Sequence, residues 1–147
     1  MEGNMEIAII ADDSKKELMT QFCIAYCNIL AKHNICSTGI TGKYISDATG
    51  LKIEKLLSGT HGGVQQIASR VSYNEIDVVL FFRNSDPGSF SSEEDDALLR
   101  MCDMQNVPVA TNIATAEVLV CALDRGDLDW REIVNPSSSL NKKKRNY

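Results

Sequence analysis

The chain has 147 residues, 44% of them hydrophobic and 24% charged, which fits one soluble-type domain with a real buried core. Its net charge of −5 argues against a nucleic-acid-binding face, and no apolar run approaches the roughly 20 residues a membrane span needs. The start, "MEGNMEIAII", lacks the basic region and cleavage site of a signal peptide, so a cytoplasmic location is expected. The five cysteines show neither a CxxC pair nor zinc-finger spacing. They read as small buried hydrophobes in a reducing compartment, with no metal site.

In chain order, "EIAIIA" has the length and β-branched content of a buried strand. "DDSKK" follows, with Asp13 or Ser14 placed to cap a helix. In that helix Leu18, Phe22, Ala25 and Ile29 recur at helical spacing, and Met19, Tyr26 and Leu30 widen the stripe. His33, near the helix end, reads as a residue favoured by the dipole. "ICSTG" is a second strand closed by Gly39. "TGKYISDATG" is a short helix ended by Gly50, and "LKIEKLL" a brief strand. "GGVQQIASRVSYNE" is helical, with Val64, Ile67 and Val71 on one face. "DVVLFF", apolar on both faces, has the pattern of a central parallel strand. The loop "RNSDPGSFSS" leads to an acidic helix start at residues 93–96, where the dipole favours negative charge. "VPVATN" is a fifth strand and "ATAEVLVCALDRGD" a last helix. Residues 135–147, with the serines of "NPSSSL" and the basic cluster "NKKKRNY", read as a polar, disordered tail behind a domain spanning 1–134.

Strands alternating with helices imply an α/β fold: one three-layer sandwich around a mostly parallel five-stranded sheet, Rossmann-like. Ligands bind such sheets at the carboxyl ends of the strands. The residues expected there are 12–16, 37–41, 58–63, 83–86 and 111–112, a set rich in hydroxyls and glycine with a lysine nearby. That composition suits a phosphate, which backbone N–H groups at helix starts, Ser and Thr hydroxyls and a Lys charge would hold.

The segments "IAIIADDSKK", "STGITGKYISDATG", "LLSGTHGGVQQIA", "IDVVLFF", "ALLR" and "VPVATNIATAE" resemble, in order and spacing, the methylglyoxal synthases. The resemblance runs without a gap over residues 5–124. It implies a domain of that fold taking dihydroxyacetone phosphate: a carbon-bound proton is removed and phosphate is expelled from the resulting enediol phosphate. It also implies a homo-oligomer, typically a hexamer, with no cofactor, nucleic acid or membrane partner. Related domains serve as ligand-binding modules in larger enzymes, so fold alone does not fix activity. Carried over by position, Lys16 matches the phosphate-binding lysine, Thr38 and Thr41 two loop hydroxyls, and Ser58 with Gly59 the Ser-Gly pair. Ile40 stands where the family has another threonine.

The catalytic positions depart from that pattern. Val64 stands where the resemblance implies the Asp base, Asp12 and Ser91 where it implies histidines, Glu94 and Asn84 where it implies aspartates. The remaining acid–base residues are Asp12, Asp13, His61 and Glu94. A positioned general base is worth about 10²–10⁴ in rate, and Val64 cannot accept a proton. The resulting expectation is a family member that binds phosphate or a small phosphorylated metabolite with weak or no lyase turnover. Two alternatives stand beside it: an active methylglyoxal synthase using substitute acid–base residues, and a regulatory or structural subunit with an unused pocket.

Overall fold

The structure, a computed structural model, describes residues 4–145, with side chains through residue 142. Five strands form one parallel sheet: β1 (Glu6–Ala11), β2 (Asn34–Ser37), β3 (Ile53–Lys55), β4 (Val78–Phe82) and β5 (Val109–Ala110), in the order β3-β2-β1-β4-β5. The chain steps outward from β1 through β2 to β3, then crosses to β4 on the other side of β1. The switch point therefore lies between β1 and β4, where the loops that follow them part.

Alternation along the strands sorts the core into two layers. Ile7 and Ile9 of β1, with Val78, Leu80 and Phe82 of β4, face α1 (Lys16–Ala25), α3 (Gly39–Thr49) and α6 (Ile113–Arg125). Ala8 and Ile10, with Val79 and Phe81, face α4 (Gly63–Ser72) and α5 (Glu93–Gln105). Successive side chains of a strand point to opposite faces, so both faces of a central strand must be apolar. The sequence pattern of β1 and β4 has that property.

Several local expectations change. The turn after β1 is a 3-10 turn over Asp13–Lys15, and Asp12 caps it, not Asp13 or Ser14: the Asp12 carboxylate accepts from the Ser14 amide at 3.0 Å. The buried stripe of α1 is Met19, Phe22 and Cys23, whereas Leu18 is 38% exposed. The stripe is rotated by one position because α1 starts only after the 3-10 turn and stops at Tyr26, before the short helix α2 (Cys27–Leu30). Gly39 does not close β2 but opens α3, with Thr38 as its N-cap.

The segment beyond residue 134 also differs from the disordered tail expected. After α7 (Arg131–Val134), Asn135 is buried and donates to both carboxylate oxygens of Asp77 at 3.1 Å. Ser138 donates to the Glu132 carbonyl at 2.7 Å, and α8 (Ser139–Arg145) follows. Polar composition predicted solvation, but these side chains are consumed in capping and anchoring. The last two residues of "NKKKRNY" lie outside the described residues. Among the described residues, no helix is long and apolar enough to cross a membrane, and no cluster of His, Cys, Asp and Glu is arranged to hold a metal ion.

Candidate functional site

A cavity of about 660 Å³ opens at the carboxyl ends of the strands, over the β1/β4 switch point. Ile10, Phe81 and Val64 contribute apolar lining; all three belong to the core layer under α4 and α5. Val64 sits in the first turn of α4 and is 5% exposed.

On the β2–β3 side the lining is hydroxyl and glycine: Thr38, Thr41, Ser58, Gly59, Thr60 and Gly62. The N-termini of α3 and α4 meet here, and neither has an acidic residue in its first turn. No carboxylate of their own therefore offsets their partial positive charge, which suits an anion. Close backbone packing builds this wall. The Gly39 amide bonds the Leu57 carbonyl at 3.1 Å and the Gly63 amide bonds the Ser58 carbonyl at 2.9 Å. A Cβ on Gly63 would overlap the Leu57 carbonyl oxygen, and one on Gly39 would come within 2.8 Å of the Leu56 carbonyl. Gln66 pins the loop by accepting the Leu57 amide at 2.8 Å, while Gln65 lines the cavity.

On the β4 side the lining is charged: Arg83 after the strand, Ser91 and Ser92 in the following loop, and Glu94 and Asp95 in the first turn of α5. Arg83 reaches Ser91 Oγ at 3.5 Å and is the one cation in the lining among the described residues. Here the α5 dipole is already matched by the chain's own carboxylates, Glu93 to Asp96. Burial, the largest influence, pushes the Asp95 carboxyl above its ordinary value; a hydrogen bond from Ser92 and the nearby Arg83 charge act against it.

The expected site residues divide accordingly. Thr38, Thr41, Ser58, Gly59, Asp12, Asp13, Glu94, Val64 and Ser91 all line the cavity. Lys16 does not; its ammonium pairs with Asp13 at 3.5 Å and lies 4.9 Å from the centre of the Tyr44 ring. His61 does not line it either. Its Nδ1 lies 2.6 Å from Ser58 Oγ and 3.1 Å from Thr60 Oγ1, so it reaches the site only through those hydroxyls. Asp12 is committed to its cap: the same carboxylate oxygen also takes the Ser14 hydroxyl at 2.6 Å. Thr111 and Asn112 stand outside the lining, and Asn112 caps α6 by accepting from the Thr115 amide at 3.0 Å.

Sequence reasoning passed over Asp95 and gave Arg83 no role. A signal existed for Asp95: it lies three and seven residues before Leu98 and Cys102, both wholly buried, so it continues the inward stripe of α5.

Comparison with known proteins agrees with this fold. The family described as the MGS-like domain matches residues 19–111, more than half of the chain. Methylglyoxal synthase of Caldicellulosiruptor saccharolyticus is 58% identical over 140 residues, covering 94% of this chain and 98% of that protein. Methylglyoxal synthase of Alkaliphilus metalliredigens is 50% identical, covering 88% and 97%. In the crystal structure of methylglyoxal synthase from Elizabethkingia anophelis NUHP1, a chain 32% identical superposes with a TM-score of 0.72, covering 80% of this chain and 77% of that one. With a family model over more than half of the chain, relatives at 50% identity or above and a matching fold, the chain belongs to the methylglyoxal synthase family.

Proposed function

We propose that the cavity takes dihydroxyacetone phosphate and converts it to methylglyoxal and phosphate, the second of the readings the sequence left open. The observation that carries this reading is the two-sided lining of the cavity. Hydroxyls and two helix N-termini without acidic residues stand on the β2–β3 side, carboxylates and a guanidinium on the β4 side. Phosphate belongs on the first side, where Thr38, Thr41, Ser58 and Gly59 donate. The carbon chain then extends over Val64 toward the second side, where a carboxylate accepts a proton and Arg83 faces the charge that develops on oxygen. Lys16, whose ion-pair partner Asp13 lines the cavity, adds positive charge for the phosphate.

A second reading, phosphate binding with little turnover, is favoured by one observation: an apolar, buried Val64 in the lining. Incubating the purified protein with dihydroxyacetone phosphate and following both products separates the two. Formation of methylglyoxal with equimolar phosphate supports the lyase. Thermal stabilisation by phosphate without turnover supports the binder, because a ligand that binds only the folded state raises its stability. Neither effect would return the chain to the unused-pocket reading.

We also propose a cytoplasmic homo-oligomer. The family membership supports this reading, and most oligomers of soluble proteins are symmetric assemblies of one chain. Light scattering on the purified protein should give a mass several times that of one chain, with a hexamer the expected value; a monomer would contradict it.

A further inference from the structure

Four carboxylates line the cavity, and three of them are poorly suited to take a proton from carbon. Asp12 holds the 3-10 turn with its side chain. Asp13 has a side chain 88% exposed and is paired with Lys16. Glu94 is exposed to solvent, so its carboxylate stays well hydrated and must shed water to reach a carbon-bound proton. Asp95 differs from all three. It is half-buried, it lies on the inward stripe of α5 above Leu98, and it shares the β4 side of the cavity with Arg83.

We propose that Asp95 is the general base of the reaction, an assignment that rests on the lyase reading above. Its carboxylate takes a proton from the hydroxymethyl carbon of the triose phosphate, and the C–H electron pair becomes the double bond of an enediolate. The terminal hydroxyl then collapses to an aldehyde as that double bond shifts. The ester oxygen leaves with its bonding pair as phosphate, carrying the hydroxyl proton. The proton on Asp95 returns to the new methylene carbon and makes the methyl group of methylglyoxal. Arg83, the lining cation, faces the enediolate oxygen during this sequence.

Burial serves this role by raising the basicity of the carboxylate toward that of the enediolate it must generate. It also makes the charged form costly, so removing the charge should leave the fold intact.

The test compares wild type with Asp95→Asn, Asp95→Glu and, as a control on the exposed face of the same helix, Asp103→Asn. Asp95→Asn is expected to lower kcat by about 10²–10⁴-fold while the thermal shift given by inorganic phosphate stays unchanged. Asp103→Asn is expected to match wild type. Asp95→Glu is expected to keep part of the activity and to move the acid limb of the kcat/KM profile. If Asp95→Asn turns over within about threefold of wild type, or the acid limb of Asp95→Glu does not move, the assignment is overturned and the lyase reading stands. If wild type itself forms no methylglyoxal, the lyase reading fails and the assignment with it.

Discussion

His33 Nδ1 accepts the backbone N–H of Met5 at 3.0 Å, so that nitrogen carries no proton in the folded protein. The position near a helix end suggested a cation held by the dipole, but the structure uses a neutral ring as an acceptor. Burial, the largest influence, lowers the His33 pKa below its ordinary 6.5; Asp124 opposes it and Lys32 reinforces it. A folded-state pKa below the unfolded one gives stability that is complete above pH 6.5 and lost as pH falls through the folded value. The melting temperature should therefore drop below that pH. The drop should be shallower in His33→Gln, whose side chain does not titrate; equal slopes in the two proteins would remove His33 from the account. The same local logic governs the thiols. Burial pushes Cys23 and Cys102 up to about 12 and Cys36 to about 11, in keeping with the buried-hydrophobe reading for these three.

At the scale of elements, the strands were legible because β1 and β4 are apolar on both faces, which only a central parallel strand requires. Helix faces were less legible. The α1 stripe was displaced because a capping side chain, Asp12, set the true start of the turn. The C-terminal segment was the largest difference, and its cause lies in a partner far away in sequence. Arg131, wholly buried, donates from Nε to Asp77 at 3.1 Å and from its other nitrogens to the carbonyls of Ile76 and Gln105 and to Asn74 Oδ1. Asp77 also accepts from Asn135 and from the Glu6 amide. This network docks α7 and α8 against the amino ends of β1 and β4, opposite the cavity. No periodicity announces it, since an isolated Arg in a polar stretch resembles a surface residue. Removing one partner of a buried pair typically costs 3–5 kcal/mol. Arg131→Ala should lose about that much in denaturant unfolding, and a loss below 1 kcal/mol would show the cluster to be slack.

At the scale of the molecule, strand order places two chemically unlike walls around one opening. The β2–β3 wall was legible in sequence because its glycines and hydroxyls fall together at the starts of two helices that follow neighbouring strands, the arrangement that holds a phosphate. The β4 wall was not, because an aspartate at a helix start already has an explanation in capping and dipole terms. What distinguishes Asp95 is its burial, a tertiary property set by how α5 leans on α4 and the sheet. Val64 likewise marks only the absence of a base at one position and says nothing about carboxylates arriving from another helix. The most direct test of the account is methylglyoxal formation from dihydroxyacetone phosphate by the purified wild-type protein. The account predicts multiple turnovers with one phosphate released per methylglyoxal formed; no product above the uncatalysed background, from protein that phosphate still stabilises, would contradict it.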